Sequence, residues 1–150
     1  MKKSILLLFV TLALFNACKD DDSDENAYPI GDLVGEWRAD FYGYDTKMGS
    51  TVYITRVLTI KSDKTYQNDY YGSNSSAGST NPLWETETGS MSLTETTVTW
   101  NPSSAQLINF STQGLETYNK ASWTENIDIQ DGVWQCNDMN LNVTYALQKQ

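Results

Sequence analysis

The sequence contains no histidine. Serine and cysteine nucleophiles commonly rely on imidazole as general base, and most zinc sites use at least one imidazole ligand, so hydrolases of those kinds are not expected. Cysteine is nearly as scarce, with Cys18 and Cys136 the two in 150 residues. Proline occurs three times, and positive charge is thin: ten Lys and Arg stand against nineteen Asp and Glu, for a net charge of −9. A chain this acidic is not expected to bind nucleic acid, whose phosphates demand a basic surface. No apolar run reaches the roughly 18 residues that a membrane-spanning helix requires.

The two ends of one short apolar run are informative. Lys2 and Lys3 precede the apolar stretch Ile5 to Phe15, which closes with Asn16-Ala17-Cys18 and opens into the acidic run Lys19-Asp20-Asp21-Asp22-Ser23-Asp24-Glu25. This arrangement resembles the start of bacterial lipoproteins, in which a signal peptidase cuts just before a cysteine whose thiol carries diacylglycerol. The resemblance implies a signal peptide over 1–17, lipidation at Cys18, an acidic tether over 18–28 and a folded domain over 29–150. Palmitate-like acyl chains, at about 0.8 kcal/mol per buried methylene, would make release from the membrane negligible. The acidic run is similar to the export tag of Bacteroidetes surface lipoproteins, which implies outer-membrane anchoring with display at the cell surface. An anchor facing the periplasm is the alternative, and a tether that merely keeps a domain soluble predicts the same composition. Asp20, Asp22 and Asp24 have the alternate spacing of a calcium loop, but Glu25 stands where such a loop needs Gly and Gly31 where it needs Glu. No metal site is expected there, while Asp128, Asp131 and Asp138 stay open as weak calcium ligands.

Cleavage before Cys18 would remove two of the ten basic residues and none of the acidic ones, taking the net charge to −11. With Cys18 committed to lipid, Cys136 has no partner for a disulfide within the domain, and the simplest reading is a small buried apolar residue. About 120 residues then remain, which suits one domain.

Within that domain the dominant pattern is two-residue alternation bounded by turn residues. Trp37, Ala39, Phe41 and Gly43 alternate with polar neighbours, and Val52, Ile54, Leu58 and Ile60 follow at even spacing. Ser62-Asp63-Lys64 predicts a tight turn into Thr65 to Tyr71, with Tyr66 and Tyr70 on one face, and Gly72 to Pro82 reads as a long loop. Trp84 to Leu93 and Thr96 to Trp100 predict a hairpin broken near Gly89, and Gln106 to Thr112 a strand with Ile108 and Phe110 on one face. Gly114 to Asn119 reads as loop, with Leu115 to Lys120 the best place for a turn of helix. Ala121, Trp123, Ile127 and Ile129 resume the period, interrupted at Glu125, before the hairpin turn Asp131-Gly132 and closing strands Val133 to Cys136 and Leu141 to Leu147. About eight short antiparallel strands predict an all-β fold, a barrel or a β-sandwich.

Four stretches carry a further resemblance: Leu33-Val34-Gly35-Glu36-Trp37, Leu58 to Tyr66, Trp84 to Leu93, and Tyr145-Ala146-Leu147-Gln148-Lys149. Together they resemble the lipocalin-like domains of Bacteroidetes lipoproteins, which implies an antiparallel eight-stranded lipocalin-like barrel that binds a small hydrophobic molecule. Gly35 and Trp37 match the opening Gly-X-Trp and would close one end of the barrel, where lipocalins often cover the tryptophan with a late arginine. Both arginines here, Arg38 and Arg56, come early, leaving Lys149 as the substitute. Lys64 replaces the glycine usual in its turn, so a left-handed backbone there would be strained. Independently of the family, a tapering barrel end needs one large side chain, and an indole fills it while its N–H reaches a carbonyl.

The remaining aromatics are the binding candidates, chiefly Phe41, Tyr66, Trp84, Trp100 and Trp123, although most aromatics of a small domain serve as core. Three functions are open. A carrier would hold its ligand inside the barrel; a glycan-binding module would use exposed rings such as Tyr70-Tyr71-Gly72-Ser73-Asn74; and a protein-binding inhibitor or envelope-complex subunit would use its acidic surface for steering. Enzymatic activity is not expected. Glu85 and Glu87 would sit about 6.6 Å apart on one strand face, a spacing open to glycosidase chemistry, but exposed alternate acids are common and the solvated-face reading is preferred. No cofactor is expected, and the chain is expected to be monomeric, with the membrane as partner through its lipid.

Overall fold

The structure is a computed structural model and describes residues 27–45, 50–73, 82–109, 112, 114–138 and 143–150. The expected signal peptide, Cys18 and most of the tether lie outside the described residues, as do Asn74, Phe110 and Leu141.

A four-residue helix, α1 (Ile30–Leu33), leads into ten strands. They are β1 (Gly35–Asp45), β2 (Ser50–Ile60), β3 (Thr65–Ser73), β4 (Leu83–Leu93), β5 (Thr97–Asn109), β6 (Gly114–Thr117), β7 (Trp123–Asn126), β8 (Ile129–Gln130), β9 (Val133–Asp138) and β10 (Val143–Lys149). The fold is all-β, as expected. Every strand belongs to one antiparallel sheet in the order β6-β5-β4-β3-β2-β1-β10-β9-β8, with β7 also paired to β5. A sandwich would divide the strands between two sheets. The ladder has ten strands rather than eight and runs as a path with two ends.

The additional strands come from the segment with the weakest pattern. Gly114–Thr117 pairs with Gln106–Asn109 as β6 instead of forming a loop or helical turn, and the stretch after Ala121 divides into β7 and β8. All four side chains of β6 are exposed, so no burial alternation marks it. Strand β5 runs on through Pro102, opposite a register shift between Thr88 and Gly89. A proline is tolerated inside a strand where the ladder is already irregular.

Elsewhere alternation sets the faces. Trp37, Ala39 and Phe41 are buried between exposed Arg38, Asp40 and Tyr42, as a strand with one dry face requires. The turns carry the backbone their residues favour or resist. Asp131 (φ 52°) and Gly132 (φ 76°) are both left-handed, as a two-residue hairpin turn demands, whereas Lys64 adopts φ 62° with a full side chain.

Indoles fill the end of the fold next to α1. Leu33 of that helix and Leu58, Trp100, Trp134 and Leu147 of the strands are fully buried in one core cluster. Trp37 Nε1 donates to Leu33 O at 2.8 Å, and the Trp37 ring meets Trp134 edge-on at 5.7 Å. Trp134 stacks on Trp100 at 6.2 Å, and Trp100 meets Tyr66 at 4.8 Å. Truncating a packed tryptophan of this kind costs about 3–5 kcal/mol, so this aromatic block anchors the fold. Lys149 Nζ lies over the Trp37 ring at 5.4 Å and donates to Asp32 O at 2.9 Å, covering the indole from outside. Gly35, beside it, has φ 130°, a conformation that side chains other than glycine rarely adopt. The strand ends Asp45, Ser50, Ser73, Leu83, Asn109 and Gly114 all lie at the opposite end.

Candidate ligand-binding site

Between the aromatic floor and the far end, the interior face of the sheet becomes charged. On β2 the inward phase is Val52, Ile54, Arg56, Leu58 and Ile60, so a guanidinium occupies a position that alternation reserves for an apolar side chain. Arg56 is completely buried. Its Nε donates to Asn68 Oδ1 at 2.9 Å on β3, and its Nη1 donates to Glu125 Oε1 at 3.1 Å on β7 and to the Tyr145 hydroxyl on β10. The guanidinium carbon stands 5.6 Å from the ring centres of both Tyr70 and Trp123. Glu125 Oε2 in turn accepts from Trp100 Nε1 at 3.1 Å, tying the charged layer to the floor.

A second cation closes the cluster. Lys120, in the irregular segment between β6 and β7, reaches inward to Glu85 Oε1 at 2.5 Å and Glu87 Oε2 at 2.6 Å. Tyr118 donates to the same Glu85 oxygen at 2.6 Å, and Asn68 Nδ2 donates to Glu87 Oε1 at 3.2 Å. The Lys120 ammonium also lies 5.8 Å from the ring centres of Tyr70 and Trp123. The expected solvated face for Glu85 and Glu87 is therefore corrected. Glu87 is buried and Glu85 half-buried, because β4 turns both toward the interior, where one lysine bridges them.

Burial and pairing act on the ionisable groups in opposite senses. Burial alone would lower the affinity of Lys120 for its proton, but Glu85 and Glu87 reverse this and hold its pKa above the usual lysine value. Arg56 likewise loses solvation on burial and is held charged by Glu125. Burial raises the hydroxyls of Tyr70 and Tyr145 above the ordinary tyrosine range, and Arg56 opposes the rise in both. The buried thiol of Cys136 is pushed up to about 12 by desolvation, with Glu125 adding and Arg56 opposing. It is a free, inert thiol.

The candidate aromatics divide between floor and site. Tyr66 and Trp100 belong to the packed floor, and Phe41 is buried against Tyr145 with ring centres 4.2 Å apart. Trp84 lies with its six-membered ring where a Gly72 side chain would be, since a Cβ there would come within 2.1 Å of the indole. The register shift between Tyr70 and Tyr71 accompanies this close approach. Trp123 is half-buried and touches both cations while stacking on Trp100 at 5.6 Å. Of the candidates it alone lies against both cations, while Trp100 reaches the charged layer through its bond to Glu125. Sequence reading missed Arg56, Asn68, Glu87, Glu125 and Lys120 as a group. For Arg56 and Glu125 a signal existed: each is a charge on the apolar phase of an alternating strand.

The stretch Tyr70-Tyr71-Gly72 is part of β3 rather than an open aromatic loop, with Tyr70 turned onto Arg56 and Lys120. Exposed rings occur instead on the outer face of β1 and β2, where Tyr42 and Tyr44 are 53% and 52% exposed and Tyr42 meets Tyr53 edge-on at 5.1 Å. Among the described residues no group of three or more His, Cys, Asp or Glu side chains is placed to hold a metal ion. No protein-family model, curated protein or solved structure matches the chain.

Proposed function

We propose that this chain is a lipid-anchored, lipocalin-like binding protein of the outer membrane, displayed at the cell surface, whose interior holds a small and mainly hydrophobic molecule. The observation that carries this reading is the charged layer of buried Arg56 and Glu87 and half-buried Glu125 and Lys120 laid over an aromatic floor. Replacing buried ion pairs by packed apolar residues is often neutral or stabilising by about 1–4 kcal/mol, so stability alone gives little reason for such a layer. A binding site does, since ligand pockets combine apolar walls with a few placed polar groups.

The registers support a barrel of eight crossings. Thr117 faces Gln106 and Trp123 faces Trp100 in one unbroken register, so β6 and β7 read as a single interrupted strand along β5. Its continuation reaches β9 through Gln135 N to Asp128 O at 2.9 Å and Trp134 Nε1 to Asn126 O at 2.9 Å. Counted once, that segment would make eight strands, which favours the lipocalin-like barrel reading, with Trp37 and Gly35 at its closed end. No residue of the cluster is assigned a catalytic role.

Native mass spectrometry of the purified full chain tests this reading. A discrete extra mass that leaves on denaturation is expected, and a chain that emerges bare after incubation with lipid extract would sink it. A second reading, glycan recognition, is favoured by exposed Tyr42 packed edge-on against half-buried Tyr53. Tyr42→Ala together with Tyr53→Ala would abolish glycan-array binding while leaving any interior ligand in place.

A further inference from the structure

Three buried donors, Arg56 Nη2, Trp123 Nε1 and the Tyr66 hydroxyl, lack a hydrogen-bond acceptor among the described residues; Tyr66 lies beside Glu87, while the other two sit together in the cluster. Arg56 Nη2 and Trp123 Nε1 both donate and neither can accept. They belong to neighbouring side chains, with the guanidinium carbon 5.6 Å from the Trp123 ring centre. A buried donor without an acceptor forfeits its solvation with nothing in return, so such sites are ordinarily filled by a water or ligand oxygen.

The neighbouring acceptors are already engaged. Glu125 Oε1 takes Arg56 Nη1 and Oε2 takes Trp100 Nε1, while Asn68 Oδ1 takes Arg56 Nε. Cys136 lies close enough to Arg56 for a side-chain hydrogen bond, but its sulfur is a weak acceptor, and its own hydrogen turns toward Trp134 O at 3.8 Å. Among the described residues no strong acceptor is left for Arg56 Nη2 and Trp123 Nε1, and an oxygen of a bound molecule would complete them.

Charge then selects its kind. The cluster holds two cations, Arg56 and Lys120, against three carboxylates, Glu85, Glu87 and Glu125, and each cation is already engaged with carboxylate. An anionic head group would enter a poorly solvated site that carries an excess negative charge, where like charges repel strongly. An uncharged oxygen gains the same two hydrogen bonds without that repulsion. Resting on the interior-binding reading above, we propose that the ligand is an uncharged amphiphile that presents a hydroxyl or carbonyl oxygen to Arg56 Nη2 and Trp123 Nε1, with its apolar body against the Trp123 and Tyr70 rings.

The test titrates the full chain, kept soluble in amphipol with empty amphipol as blank, with 1-octanol and with octanoate at pH 8, following tryptophan fluorescence. These probes share a chain length and differ in head-group charge. Octanol should bind about tenfold more tightly than octanoate, a hydrogen-bond-sized difference. Trp123→Phe keeps a six-membered aromatic ring and removes the donor, and should weaken octanol about three- to tenfold. Octanoate binding as tightly as octanol would overturn the proposal. So would a Trp123→Phe protein that binds octanol unchanged, since a trapped water would then be the acceptor. Should that variant fail to fold, the comparison of alcohol with acid on the parent chain still decides. If neither probe binds and no mass is retained in native spectra, the interior-binding reading itself falls and this inference with it.

Discussion

Arg56 Nη1 lies 3.1 Å from Glu125 Oε1, an ion pair that joins β2 to β7 across 69 residues of sequence inside the sheet. The side chain of Arg56 is wholly inaccessible and that of Glu125 nearly so. In such a setting the partners are more costly to separate than to remove together. Glu125→Ala would strand a buried guanidinium and leave Trp100 Nε1 without its acceptor, with an expected loss of about 3–5 kcal/mol. Arg56→Met with Glu125→Leu removes both charges and should cost well under the sum of the single changes. Urea denaturation of the parent, Arg56→Met, Glu125→Leu and the double variant gives the coupling directly. Additive single and double losses would show that the pair is not energetically joined.

The aromatics make a graded prediction. Trp100 is completely buried between Tyr66, Trp123 and Trp134, so Trp100→Ala should cost about 3–5 kcal/mol and act as a core mutation rather than as a binding mutation. Trp84 is half-buried and rests on the backbone of Gly72. Gly72→Ala should expel that indole, seen as a red shift in tryptophan emission that Trp84→Phe abolishes. An unchanged emission maximum in Gly72→Ala would contradict the close packing.

Lys64 holds φ 62° in the turn between β2 and β3, where its N–H reaches Lys61 O at 3.1 Å and its carbonyl accepts from Met91 N at 2.8 Å. A left-handed residue with a Cβ carries about 1–2 kcal/mol of strain, and glycine gives back part of that gain through its larger unfolded-state freedom. Lys64→Gly keeps both backbone bonds and should stabilise the protein by roughly 0.5–1 kcal/mol. A lower melting temperature would mean that the lysine side chain contributes more than its backbone costs.

How far the sequence could be read followed from how strongly each segment alternates. Strands β1 and β2 were legible because Trp37, Ala39, Phe41, Val52, Ile54, Leu58 and Ile60 repeat every second residue, and Asp131-Gly132 because its turn chemistry is specific. Strand β6 was not, since its side chains are all exposed and its pairing rests on backbone bonds to β5 that leave no trace in residue type. The candidate site was missed for a different reason. Glu125 looked like a break in the period of Trp123 and Ile127, and Arg56 like a gap between Ile54 and Leu58. Both are inward positions whose charges satisfy one another across the fold. A single strand cannot reveal that compensation, because each partner alone contradicts the pattern of its own strand. Lys120 is harder still, since it enters from an irregular segment.

Alkaline pH should unfold the protein in two stages, and the sign follows from which state holds protons more firmly. Burial holds the Cys136 proton up to about 12, whereas an unfolded thiol releases it near the ordinary value of 9.0. Burial likewise raises Tyr66, Tyr70, Tyr118 and Tyr145 above the ordinary tyrosine value of 10.0. Lys120 joins them: burial opposes its charge, Glu85 and Glu87 more than restore it, and its pKa lies above the ordinary 10.5. For every one of these groups the folded state binds more protons than the unfolded state once pH passes the unfolded value, so stability falls as pH rises. The urea midpoint should be flat from pH 7 to 8.5, decline from pH 9 as Cys136 contributes, and drop more steeply above pH 10 when the tyrosines and Lys120 follow. Cys136→Ala should delay the onset by about one pH unit, the gap between ordinary thiol and phenol values. The same burial predicts that a thiol reagent at pH 8 leaves Cys136 unmodified until denaturant is added. Rapid labelling of Cys136 in the folded protein, or a urea midpoint that holds steady to pH 10.5, would show that the β9 face of the interior is open to water.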